Sequence, residues 1–136
     1  MKKLFYIFIL LFIVGWVQAQ QRVVYTINDG WKFTKGSPFE AQLTGCDDSS
    51  WETVNIPHTW NDKDADDETP GFYRGPVWYR KQLFIDKSGE GRQAVIYFEG
   101  ANQEVRFYLN GQFVGEHKGG YTRFRFDITP HLRYGQ

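Results

Sequence analysis

The chain has 136 residues, with 16 basic side chains against 16 acidic ones and an aromatic share of 18%. Balanced charge excludes the basic footprint that holds a nucleic-acid backbone, and the length allows one domain of ordinary size but not a sandwich plus a separate catalytic domain. Cys46 is the single cysteine, so no internal disulfide staples the fold and stability has to come from the apolar core.

At the N-terminus, Lys2 and Lys3 precede an apolar run from Leu4 to Val17, and Val17-Gln18-Ala19 places small residues at the positions that a signal peptidase reads. This layout predicts a signal peptide over residues 1–19 and a mature domain over 20–136, exported to the periplasm or the extracellular space. A stable membrane anchor is the weaker reading, because the run is short for a bilayer and no stop-transfer charge cluster follows it. No cysteine follows it to carry a lipid.

Beyond that run, apolar residues recur at every second position in short stretches broken by Gly, Pro, Asn or Asp, with no sustained helical period. The expectation is all-β. Trp31 and Phe33 alternate after Asn28-Asp29-Gly30, and Trp51, Val54 and Ile56 form a run ended by Pro57. From Val77 to Ile85 a strand is predicted with Val77, Tyr79, Leu83 and Ile85 on one face and Trp78 and Phe84 on the other. Ala94 to Phe98 and Val105 to Leu109 follow as two more strands.

Asn110-Gly111 is the sharpest local signal, since a type I′ turn needs positive φ at both central residues. It predicts a hairpin that pairs Leu109 with Gln112, Tyr108 with Phe113 and Phe107 with Val114. Gly119-Gly120 predicts a tight bend, and no Lys-Ser/Thr follows it to suggest a phosphate cradle. Phe124, Phe126 and Ile128 alternate in the last predicted strand. Thr129 is then expected to cap a single helical turn, with Pro130 inside it and Gly135 at its exit. Such a turn hands the chain to another strand, so the sequence reads as a sandwich truncated at its C-terminal end. A small complete sandwich ending at Ile128 is the alternative.

With the elements in place, the ordered set Ile56-Pro57-His58-Thr59-Trp60, Val77-Trp78-Tyr79-Arg80-Lys81, Val105-Arg106-Phe107-Tyr108-Leu109-Asn110-Gly111, Gly115-Glu116-His117-Lys118-Gly119-Gly120-Tyr121-Thr122-Arg123-Phe124 and Phe126-Asp127-Ile128-Thr129 resembles the N-terminal sugar-binding domain of glycoside hydrolase family 2. The likeness runs from Trp31 onward. It implies a jelly-roll-like (galactose-binding-domain-like) β-sandwich followed, in the family, by an immunoglobulin-like sandwich and a catalytic barrel. The family holds β-galactosidases, β-glucuronidases and β-mannosidases. They are retaining enzymes with two glutamates on the barrel. No residue here matches those glutamate motifs, so no catalytic residue is assigned, and no cofactor is expected.

The resemblance also sets the loop from Asn61 to Pro76 near the mouth of the sugar pocket. Within it, Asp66 and Asp67 are candidate acceptors for sugar hydroxyls, Arg74 a forked donor and Tyr73 a stacking ring. Each has a structural rival: the acids read equally as a solvated loop, Arg74 as an ion-pair partner, Tyr73 as packing. A calcium site is not expected, since the acidic run lacks the regular ligand spacing and bend glycine of a calcium loop. His58, His117 and His131 are too scattered for a metal site. His58 is expected to bond backbone at a strand end, and Trp60, Trp78 and Tyr121 to pack in the sandwich.

Two functions follow. One is a piece of an exported β-glycosidase, most like a β-galactosidase, whose partners are a β-glycoside and the later domains of the same chain; the other is a free-standing carbohydrate-binding or adhesion module with exposed aromatics as its platform.

Overall fold

A computed structural model describes residues 22–61 and 72–136. The predicted signal peptide lies outside the described residues. No helix among them is long and apolar enough to cross a membrane.

The described residues are all-β apart from two single-turn 3-10 helices, Lys87–Gly89 and Thr129–His131. The strands are β1 (Trp31–Lys35), β2 (Glu52–Val54), β3 (Val77–Arg80), β4 (Val95–Phe98), β5 (Glu104–Leu109), β6 (Gln112–Lys118) and β7 (Phe124–Asp127). All pairing is antiparallel: β2-β1-β3 form one sheet, β4 pairs β7, and β5 pairs β6.

An aromatic layer joins the β4–β7 pair to the β5–β6 pair. Phe98 stacks on its cross-strand partner Phe124 at 4.8 Å, and Phe126 stacks on Phe107 at 5.4 Å. His117 lies flat on Phe124 at 4.1 Å. Alternation sends Ile96, Phe98, Phe124 and Phe126 inward, while Val95 and Tyr97 stay exposed on the outer face. In the three-stranded sheet, Phe33 is buried by the rings of His58 and Tyr79. Trp78, on the opposite face, meets Tyr108 at 5.8 Å and so links β3 to β5.

Arg80 fastens the loop between β1 and β2 to this sheet. Its Nε donates to Asp48 at 3.0 Å, its Nη1 donates to the carbonyls of Ala41 and Leu43, and the guanidinium lies over the Trp51 ring. The side chain is only 14% exposed, so these bonds satisfy a charge largely removed from water.

The Asn110-Gly111 hairpin forms as expected, with φ of 52° and 81° at the two residues and Leu109 opposite Gln112. Its register then departs from expectation. Phe107 pairs with Gly115, not Val114, because a bulge falls between Phe107 and Tyr108 in the pairing. Without it, Glu116 would share the inner face with Val105. With it, His117 lies opposite Val105, Glu116 opposite Arg106, and Glu104 opposite Lys118 at 3.7 Å on the solvent face. Keeping a carboxylate out of the aromatic layer is reason enough for the shift.

Three further expectations are corrected. The strand predicted over Val77 to Ile85 ends at Arg80, since β1 begins at Trp31, opposite Lys81, and offers no strand residue to 82–85; Leu83 and Phe84 are exposed. Thr129 does not cap the last turn. Its hydroxyl bonds the backbone of Ala94, and the Asp127 carboxylate accepts from the Thr129 N–H in its stead. Tyr121 does not pack: it is 100% exposed, while Phe124 takes the buried place nearby.

Candidate functional site

Two contacts orient one end of the sandwich. Arg80, at the end of β3, bonds the Leu43 carbonyl, and Leu43 lies within 3.6 Å of where a Cβ on Gly111 would sit. The C-terminal end of β3 and the Asn110-Gly111 turn therefore share one end. The β4–β5 and β6–β7 connections meet at the other end, where the Gly119 N–H donates to the Gln103 carbonyl at 2.8 Å.

In the loop leading into β3, Tyr73 acts as a clamp. Its hydroxyl accepts from the Gly36 N–H at 2.9 Å and donates to the Pro76 carbonyl at 2.7 Å. The same N–H reaches Pro76 O directly at 2.8 Å, so the end of β1 is tied to the start of β3. Lys35 lies over the ring at 5.3 Å. A Cβ at Gly75 would overlap the Tyr73 hydroxyl, so glycine there lets the loop close on the ring. The Tyr73 hydroxyl is thus tied into the loop's own backbone, whereas its neighbour Arg74 is exposed. Asp66 and Asp67 lie outside the described residues.

At the loop's start, the Asn61 Oδ1 is buried without a hydrogen-bond partner. An unsatisfied buried carbonyl costs about 1–3 kcal/mol, which makes it an acceptor in search of a donor. Sequence reading treated Asn61 only as a boundary, since an amide beside an acidic run carries no signal of burial.

Before the loop, His58 bonds a side chain where backbone was expected. Its Nδ1 is 2.8 Å from the Tyr79 hydroxyl, and both rings close on Phe33. Burial pushes the Tyr79 hydroxyl up to about 12. Trp60 is half-buried, as is Trp78 against Tyr108. His117 bonds Thr122 Oγ1 at 2.9 Å and His131 bonds the Gln112 amide at 3.0 Å. Every histidine therefore has a structural partner. Among the described residues, no three His, Cys, Asp or Glu side chains are grouped to hold a metal ion.

Comparison with known proteins agrees with this architecture. The model of the family "Glycosyl hydrolases family 2, sugar binding domain" matches residues 16–136. A β-glucuronidase of Formosa agariphila is 38% identical over 128 residues, covering 88% of this chain and 13% of that protein. A β-galactosidase of Thermoanaerobacter pseudethanolicus is 38% identical over 114 residues, covering 84% of this chain and 15% of its own length. Among solved structures, a Bacteroides uniformis β-glucuronidase superposes with a TM-score of 0.76 at 42% identity, over 82% of this chain and 13% of that one. The chain spans about an eighth of the length of the first of these relatives. Matched along its sequence and in its jelly-roll-like sandwich, the chain belongs to glycoside hydrolase family 2, as the sugar binding domain of that family.

Proposed function

We propose that this chain is the N-terminal domain of an exported β-glycosidase, that it walls one side of the substrate pocket through the loop from Asn61 to Pro76, and that it buttresses a barrel carried by the rest of the protein. The family match over residues 16–136 carries this reading, together with the small share that the chain makes up of its relatives. Export rests on Lys2, Lys3, the apolar run and Ala19. Chemistry on the missing barrel is retaining, with one carboxyl as acid and base and a second as nucleophile, so the 136-residue chain alone is inactive.

A terminal β-glucuronide is the first substrate proposed, on the names of relatives at 38% and 42% identity. The β-galactoside expected from the sequence is the second, favoured by the 38% identity to the Thermoanaerobacter enzyme. The test is to express the full-length protein that carries this chain and measure release of nitrophenol from aryl β-glucuronide and aryl β-galactoside. Turnover of either with retained anomeric configuration supports the proposal. Failure on both, with sugar binding intact, would instead fit the free-standing module.

A further inference from the structure

Tyr121 combines two properties that rarely occur together, full exposure and a rigid setting. Its ring is 100% exposed. On one side of it, the Gly119 N–H donates to the Gln103 carbonyl at 2.8 Å, and Gly120 sits so close to Asn102 that a Cβ would fall 2.8 Å from its Oδ1. On the other, Thr122 is held by His117, whose ring is itself stacked on Phe124. The chain is thus pinned before and after an aromatic side chain that touches nothing.

We propose that Tyr121 is a stacking platform for one pyranose ring of a glycan chain. The inference rests on the proposed role in a β-glycosidase and extends it to a residue outside the Asn61 to Pro76 loop. An exposed ring presents a flat apolar face, which suits the C–H face of a sugar. Because the loop is already ordered, little conformational freedom is lost on binding. Lys118 and Arg123 flank the ring in sequence, both exposed, and donate to hydroxyls or to a uronate carboxylate. Gly119, Gly120, Thr122 and Arg123 add no apolar surface around the ring, unlike the desolvated pocket in which a protein partner seats an aromatic anchor. A ligand that is polar around one flat apolar face fits better.

Affinity electrophoresis of the full-length protein through gels containing a β-linked galactan or a glucuronate-bearing xylan tests this, with Tyr121→Ala, Tyr121→Trp and wild type compared and their melting temperatures recorded. The expected result is retardation of wild type and Tyr121→Trp by at least one glycan, about tenfold weaker for Tyr121→Ala, with unchanged melting. Equal retardation of Tyr121→Ala, or no retardation of wild type on either gel, overturns the proposal. So does a melting temperature several degrees lower for Tyr121→Ala, which would mean that the ring packs against the rest of the protein. Aryl-glycoside turnover by wild type decides the proposed function separately.

Discussion

Tyr79 stands where three rings meet, its hydroxyl shared with His58 and its ring beside Phe33. Burial disfavours the phenolate, so the hydroxyl holds its proton up to about 12, against an ordinary value of 10.0. A pKa raised on folding means that the contribution to stability is complete below the unfolded value and is lost as pH climbs through the folded one. Alkaline titration followed by tyrosinate absorbance is expected to show a late step near pH 12 that Tyr79→Phe removes. A wild-type curve identical to that of Tyr79→Phe would mean that the hydroxyl is not buried as described. At the same scale, Tyr73 and Arg74 illustrate the limits of residue-type reasoning. Both are able to contact sugar by chemistry, yet only the fold separates a ring whose hydroxyl is tied to Gly36 and Pro76 from a guanidinium left in solvent.

For the β5–β6 hairpin, turn residues and core neighbours act on different parts of one element. Asn110-Gly111 sets the first two pairs, and the bulge then resets the phase so that Gly115 and His117 face the aromatic layer. Gly115 is needed at that spot because a Cβ would fall 2.6 Å from Phe126 Cε1, inside any tolerable contact. Gly115→Ala is therefore expected to destabilise the chain by about 1–3 kcal/mol, read as a lowered denaturant midpoint with unchanged slope. A loss under about 0.5 kcal/mol would show that Phe126 moves aside without strain. The bulge was not legible in the sequence, since Val114 alternates as well as Gly115 does. What selects the register is the penalty for turning Glu116 toward Val105 and Phe107, and that penalty exists only once the second layer is present.

Across the whole molecule, the described residues bury few side chains deeply: Phe33, Ala41, Trp51, Val54 and Phe124 are the hydrophobic residues in the core. Meanwhile Phe84, Tyr97, Val95 and Leu83 remain exposed. A sandwich so thinly covered is expected to melt broadly and to bind a hydrophobic dye as the isolated domain of residues 20–136, and to melt sharply without dye binding in the full-length protein. A sharp melt of the isolated domain, dye-free, would show that its own core suffices.

The sequence by itself determined the all-β class, the succession of strands along the chain, the type I′ turn and, through five short motifs in register with one another, the family. These are local properties: alternation follows from the pleat, and turn chemistry from backbone sterics. Only the tertiary structure decided where β3 ends, that the Thr129 hydroxyl serves Ala94, that His58 bonds Tyr79 and that Tyr121 faces solvent. Each of these depends on what lies opposite a residue across a sheet or between layers, and a linear pattern of residue types does not carry that distance.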